Sequence, residues 1–305
     1  MHIRIATRKS ALALWQADEV SRLLRETHGD NVSIELLKIT TTGDQLLEES
    51  LATQGGKGLF VKELERGLLE KTADIAVHSM KDVPIELPPT LHLPVILERA
   101  NPRDAFVSNH YDDLDALPDN GVVGTSSSRR ACQIKAAYPH LAIKLLRGNV
   151  NTRLAKLDDG QYDAIILAVA GLQRLGFNER IRTQISEEAS LPAIGQGAIG
   201  IECRENDAEI EKLIAPLNHA DTNICVTAER AISQSLEGGC QLPIAGFAQL
   251  KKEELHLRSL VGMPDGSKLC RSKASGSKND AVEIGQRVAA DLRKQGADKI
   301  LAACS

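Results

Sequence analysis

Aromatic residues are scarce: Phe, Trp and Tyr make up 3% of the chain, with one Trp. A surface that stacks the bases of single-stranded nucleic acid is therefore not expected. Basic charge is not in surplus either. Lys and Arg number 37 against 41 Asp and Glu, for a net charge of −4 and a pI of about 6.1. The global footprint of a DNA or RNA binder is missing. No apolar run approaches the ~18 residues of a transmembrane helix, so no membrane association is expected. The N-terminus, Met1 to Arg8, has no apolar signal-peptide core and reads as a strand, which places the expected location in the cytoplasm.

The six cysteines, Cys132, Cys203, Cys225, Cys240, Cys270 and Cys304, include no C-x-x-C pair, and the eight histidines include no H-x-x-x-H pair. No metal site is expected, and each thiol is expected free in a reducing compartment.

What is present is the composition of a folded protein, 42% hydrophobic and 26% charged over 305 residues. That length allows two or three domains and needs no disulfide or metal staple. Strand and helix signals alternate through the first two thirds, the signature of α/β domains with largely parallel sheets. Strands are expected at residues 2–6, 32–39, 73–77, 91–97, 122–124, 143–146 and 163–169. Helices are expected at 11–26, capped by Ser10, and at 59–70, 128–138 and 150–158. The polar stretch 98–104 reads as a crossover between domains. In the last third, strands at 255–261 and 268–274 flank a Met263-Pro264-Asp265-Gly266 turn and precede a helix at 280–295. That order predicts a small α+β domain with an antiparallel sheet.

Two glycine motifs fail as nucleotide sites. Gly195-Gln196-Gly197-Ala198-Ile199-Gly200 matches G-x-G-x-x-G, but a strand follows it where the fingerprint needs a helix, so an inter-domain hinge is expected. Gly55-Gly56-Lys57-Gly58 lacks the remaining residues of a phosphate loop.

The arginines are more informative. Arg129, Arg130, Arg147, Arg153 and Arg174 each follow a predicted strand or lie in the next helix. Gly124-Thr125-Ser126-Ser127-Ser128-Arg129-Arg130 places hydroxyls and amide N–H groups at a helix N-terminus, an arrangement that binds anions. Leu146 to Arg153 repeats the device, and Thr7-Arg8-Lys9-Ser10 does the same near the N-terminus. In open α/β sheets these strand ends line the ligand crevice, and Arg matches carboxylates bidentately. Any one Arg is as readily a solvated surface residue; the set points to a polyanionic ligand.

Two segments admit two readings each. In His78-Ser79-Met80-Lys81-Asp82, Asp82 beside the cationic Lys81 is either a general acid/base or cation stabiliser, or a turn cap. In Glu237-Gly238-Gly239-Cys240-Gln241-Leu242-Pro243, flanking glycines expose Cys240 as a nucleophile or a covalent attachment point.

Ile5–Arg8, Gly55–Glu63 (GGKGLFVKE), Ala73–Pro84 (ADIAVHSMKDVP), Gly124–Arg130, Leu146–Arg153, Asp163–Arg174 (DAIILAVAGLQR), Leu191–Cys203 and Leu236–Pro243 together resemble the porphobilinogen deaminase (hydroxymethylbilane synthase) family, particularly its bacterial members. The match runs in one order over nearly the whole chain. The resemblance implies two α/β domains of the type II periplasmic-binding-protein fold, residues 1–97 with 196–217 and residues 98–195. A small α+β domain, 218–305, carries Cys240.

It also implies a dipyrromethane cofactor held by a thioether bond to Cys240. On it a monomeric transferase condenses four porphobilinogen molecules into linear hydroxymethylbilane, releasing ammonia at each step. By the same resemblance Asp82 and Lys81 are catalytic. Ser79, Lys81, Asp82, Thr125, Ser127, Arg129 and Arg130 hold the cofactor, and Arg8, Ser10, Lys57, Arg147, Arg153 and Arg174 hold substrate. The acetate and propionate of every pyrrole ring account for the arginines. Two residues depart from the family pattern. Thr53 stands where many relatives have a basic residue, which puts a carboxylate contact there in doubt. Ser128 stands for a usual Leu, a packing change beside the anion loop. The alternative from another class is a non-catalytic binding protein for an anionic solute; Cys240 and the third domain argue against it.

Overall fold

The computed structural model of the chain describes residues 1–41, 61–237 and 242–304. Its strands are β1 (His2–Arg8), β2 (Ser33–Ile39), β3 (Ile75–Ser79), β4 (Leu91–Ile96), β5 (Asp104–Val107), β6 (Val122–Gly124), β7 (Ala142–Lys144), β8 (Ala164–Ala168), β9 (Thr183–Ile185), β10 (Ile199–Arg204), β11 (Ile244–Lys251), β12 (Glu254–Gly262) and β13 (Leu269–Ser277). Its α-helices are α1 (Ala11–His28), α2 (Lys62–Leu69), α3 (Ser128–Ala137), α4 (Val150–Asp158), α5 (Val169–Arg174), α6 (Ala208–Ile214), α7 (Ala220–Ser235), α8 (Ala281–Lys294) and α9 (Ala297–Cys304). None is long and apolar enough to cross a membrane among the described residues. The chain divides into two compact units, Met1–Ala100 with Ala198–Asn223, and Asn101–Gly197 with Ile224–Ser305.

The first unit is built on the sheet β2-β1-β3-β10-β4. Alternate residues of its strands feed two cores, as the period of a strand requires. Ile3, Ile5, Ile75, Val77, Ile199 and Ile201 face one side and meet Ala17, Val20 and Leu24 of α1. Ala6 and Ala76 face the other and meet Leu64 and Leu68 of α2. Burying each of those two leucines contributes about 1.5–3 kcal/mol. The expected largely parallel sheet needs correction. β1 pairs in parallel with β2 and β3, but β10 runs antiparallel to both β3 and β4. The sheet is mixed because β10 enters it from a distant stretch of chain rather than through a βαβ crossover.

The second unit holds two sheets. The first, β7-β6-β8-β5-β9, is again mixed, with β6 parallel to β7 and β8, and β5 antiparallel to β8 and β9. β8 is buried on both sides as its unbroken apolar run predicts. Ile165 and Leu167 join the core with Leu154 and Leu157, while Ala164 and Ile166 join that with Ile134 and Leu141. The other sheet is the antiparallel meander β11-β12-β13. One face packs on α7, α8 and α9 through Leu255, Leu257, Ile284, Val288, Leu292 and Ile300. The opposite face presents Ala245, Phe247 and Leu260 to Cys132 of α3 and Leu191. A Cβ added at Gly262 would lie 2.9 Å from Cys132 Sγ, so glycine is what lets β12 come this close to α3.

Candidate functional site

In the first unit β1 and β3 are parallel neighbours, so the turns that follow them open on one edge of the sheet. Thr7 Oγ1 donates to the Ala13 carbonyl at 3.1 Å, and Ser10 Oγ caps α1 by accepting from Ala13 N at 3.4 Å. Arg8 ends β1, partly exposed. Gln16 of α1 donates from Nε2 to Ser79 Oγ at 2.7 Å and ties the helix to the end of β3.

The next residues, Met80–Asp82, form a single 3-10 turn closed by Val83 N on the Met80 carbonyl. The Met80 side chain fixes that turn from below. Met80 N donates to the Ala198 carbonyl at 3.1 Å, and a Cβ at Gly200 would come within 2.3 Å of Met80 Sδ. Lys81 and Asp82 are left half-exposed at the edge. Ser10, Arg8, Ser79, Lys81 and Asp82 therefore share one sheet edge.

In the second unit β6, β7 and β8 are parallel, so Thr125–Arg130, Arg147–Arg153 and the end of α5 with Arg174 share an edge too. The five arginines divide into two kinds. Arg147, Arg153 and Arg174 are partly exposed; Arg153 Nε donates to the Gly148 carbonyl at 2.7 Å and Arg174 Nη2 to that of Gly197 at 2.8 Å. Arg129 and Arg130, 3% and 6% exposed, turn inward onto Asp104, which is fully buried.

Arg129 Nη1 donates to Asp104 Oδ2 at 2.8 Å, and Arg130 Nη2 donates to Oδ1 at 2.7 Å. Ser190 Oγ and Gln196 Nε2 add a bond each at 3.0 Å. Main-chain carbonyls complete the shell, Leu191 for Arg129 and Ile166 for Arg130. Burial alone would raise the Asp104 carboxyl, but attraction and hydrogen bonds from both guanidinium groups hold it well below the usual carboxylate range. Burial and the neighbouring Arg129 lower Arg130, against the pull of Asp104.

Two guanidinium groups share one carboxylate, so this cluster retains a formal positive charge out of water. Arg129 Nε is also buried with no hydrogen-bond partner among the described residues. A buried cation is stable only when compensated, so the cluster fits an acidic ligand group. Above it Thr125, 4% exposed, accepts from Ser127 N at 3.1 Å, and Ser127 Oγ caps α3 by accepting from Arg130 N. Ser128, at the first position of α3, is half-exposed and leaves that cap in place.

Asp104, Gln16 and Gln196 escape sequence reading because their partners are distant in the chain. Cys240, Lys57 and Thr53 lie outside the described residues. The Gly195–Gly200 segment opens a strand, β10, and so is no dinucleotide fingerprint. Gly195 N instead donates to Glu229 Oε2 at 2.7 Å.

Replacing Asp104 by Asn is expected to cost about 3–5 kcal/mol, since it leaves two buried guanidinium groups without a counter-charge. The wild-type contribution is fully present above the ordinary carboxyl value of 3.8 and fades only as pH falls toward its depressed folded value. Urea midpoints at pH 7 for the two proteins measure the difference, and equal midpoints refute it.

The chain matches two family models: porphobilinogen deaminase, dipyromethane cofactor binding domain, over residues 3–212, and porphobilinogen deaminase, C-terminal domain, over residues 223–294. Among solved structures it is similar to a putative methionine-binding lipoprotein from Bacillus subtilis, at 16% identity over 72% of this chain and 90% of that one, with a TM-score of 0.44. It is also similar to the periplasmic VFT2 domain of BvgS from Bordetella pertussis, at 16% identity over 70% and 85%, with a TM-score of 0.42. A TRAP periplasmic solute binding protein from Desulfovibrio salexigens is similar at 11% identity over 72% of each chain, with a TM-score of 0.44.

Proposed function

The chain belongs to the porphobilinogen deaminase family, and from that premise we propose how its own residues divide the work. The family's reaction is the condensation of porphobilinogen into hydroxymethylbilane, on a dipyrromethane cofactor that supplies a covalent primer for the growing chain. Cys240 carries that primer. Ser79, Lys81, Asp82, Thr125, Ser127, Arg129 and Arg130 hold it, and Arg8, Ser10, Lys57, Arg147, Arg153 and Arg174 receive the carboxylates of substrate and lengthening chain. The observation that carries this assignment is the buried Arg129–Arg130–Asp104 cluster, whose surplus positive charge matches an acidic group. The half-exposed Arg147, Arg153 and Arg174 suit ligands that come and go; bidentate guanidinium–carboxylate bonds fit their chemistry.

Asp82 acts on the substrate. Loss of ammonia from porphobilinogen leaves a cationic pyrrole methylene, and an anion beside the ring nitrogen lowers the cost of forming it. Asp82 is half-exposed at the end of the turn, so its carboxylate is open to a ligand there. Lys81, on the same turn, adds a cation for the ring carboxylates.

The division into residues 1–97 with 196–217, 98–195 and 218–305 belongs to the same reading, supported by the separate core of the C-terminal sheet. So do a monomeric state and a cytoplasmic location. The five described cysteines form no disulfide, the pattern of a reducing compartment. Intact mass tests the whole proposal. Purified protein should exceed its sequence mass by two linked pyrrole units, and porphobilinogen should add a ladder of up to four more. A bare sequence mass with no ladder would leave only a binding protein for an anionic solute.

A further inference from the structure

Arg129 and Arg130 meet Asp104 in two different ways. Arg130 lies side-on, with Nε at 3.0 Å and Nη2 at 2.7 Å from Oδ1. Arg129 lies end-on, with Nη1 at 2.8 Å from Oδ2 and Nη2 at 3.2 Å from Oδ1. A guanidinium can present either edge to a carboxylate. The end-on approach leaves Nε–H out of the ion pair, and Arg129 Nε is the buried atom without a partner among the described residues.

What distinguishes Arg129 is the Leu191 carbonyl, which accepts from its Nη1 at 2.8 Å. The same carbonyl accepts from Gln133 Nε2 at 3.1 Å, and Gln133 Oε1 accepts from Leu191 N at 2.8 Å. One side-chain amide thus grips both main-chain groups of Leu191, as a neighbouring strand would. Gln133 stands one turn beyond Arg129 in α3, is 5% exposed, and also donates to the Arg129 carbonyl at 3.2 Å. From the other side Leu191 packs against Ala245, Phe247 and Leu260, and the Pro192 carbonyl accepts from Gly246 N of β11 at 3.1 Å. The acceptor that Arg129 finds there is fixed in place.

We infer that Gln133 is a positioning residue for the reaction: it holds the Leu191 carbonyl where that group keeps Arg129 end-on to Asp104, with Nε–H reserved for an acidic group of the dipyrrole. The inference rests on the role proposed above for Arg129. Without Gln133 the Leu191 peptide loses two hydrogen bonds and can turn, and Nη1 loses its second acceptor. Arg129 then gains by rolling side-on like Arg130, which spends Nε–H on Asp104 and takes it from the ligand. Arg130 is spared, because its own carbonyl partner is Ile166.

The test uses the dipyrrole-loaded enzyme and Gln133→Met, which keeps the length of the side chain and removes its donor and acceptor. The ¹H–¹⁵N signal of Arg129 Nε, assigned by its loss in Arg129→Lys, should move toward that of Arg130 Nε, which should stay in place. A general loosening of the core would move both. In turnover, kcat should fall roughly tenfold with KM for porphobilinogen unchanged, short of the ~10²-fold that misplacing a catalytic group by about 1 Å costs. In the wild-type background, the Arg129 Nε signal of the loaded enzyme should differ from that of Cys240→Ser, and this comparison stands even if Gln133→Met fails to fold. An Arg129 signal indifferent to the dipyrrole or to Gln133→Met, a shift shared by Arg130, or a wild-type kcat in the variant overturns the proposal. Absence of both dipyrrole and condensation in the wild type would instead defeat the functional reading.

Discussion

Replacing Cys240 by serine is expected to abolish both the covalent dipyrrole and the condensation of porphobilinogen. The attacking species at a cysteine is the thiolate, and a serine hydroxyl at neutral pH offers nothing comparable. Without an anchored primer, chain growth has no place to begin, so the loss should be complete rather than partial. The variant should fly at its bare sequence mass. It should also unfold at a lower temperature than the loaded protein, because the surplus charge of Arg129 and Arg130 then has no acidic partner. Four of the other five thiols are poor substitutes because they are buried. Cys132, Cys203 and Cys270 are at most 1% exposed and Cys225 is 8% exposed. Burial pushes the Cys132 and Cys203 thiols up to about 12, so neither is a thiolate at neutral pH. Peptide mapping of the loaded wild type checks the assignment: a dipyrrole on any cysteine but Cys240 refutes it.

Asp82→Asn should lower the rate of ammonia release by about 10²–10⁴-fold, the usual contribution of a positioned acid–base or charge-stabilising group. Asn keeps the size and loses the anion. Asp82→Glu keeps the anion one methylene out of place, so its activity should fall and survive. Substrate binding by cofactor-loaded Asp82→Asn should persist, since the arginines are intact. A turn-capping Asp82 would predict the opposite, because Asn caps about as well as Asp. The 3-10 turn itself is closed by the Val83 amide on the Met80 carbonyl, with no side-chain cap from Ser79 at its start. Single-turnover release by folded, loaded Asp82→Asn at the wild-type rate would make Asp82 structural.

Much of the local structure was legible in the residues themselves. Ser10 and the apolar spacing behind it mark α1, and Val122–Gly124 and Val150–Asp158 emerge with their expected bounds. What stayed hidden depends on partners far along the chain. The polar stretch read as a crossover ends in strand β5, whose first residue is a carboxylate. Asp104 is compatible with a buried strand only because Arg129 and Arg130, 25 and 26 residues on, neutralise it. Helix α7 contains Thr, Asn, Cys and Val, which form helices weakly, and its Glu229 is buried. That carboxylate is spent on the amides of Gly195 and Ala248, contacts no local pattern announces. At the site, motif and charge pattern located the loops. They did not separate arginines that face a buried carboxylate from those at the edge. The Gln133–Leu191 pair, 58 residues apart, left no signal at all.

The insertion of β10 between β3 and β4 sets an order of events during translation. The first hundred residues leave the ribosome with both β3 and β4 presenting an unpaired edge where β10 belongs. The strands β5 to β9, contained within Asp104–Ile185, are synthesised next and can close their sheet from nearby chain. The sheet begun first is therefore completed second, once Ile199–Arg204 has emerged. Until then its open edges are templates for pairing with other chains. A nascent chain stalled before Ile199 would be the species that most needs a chaperone.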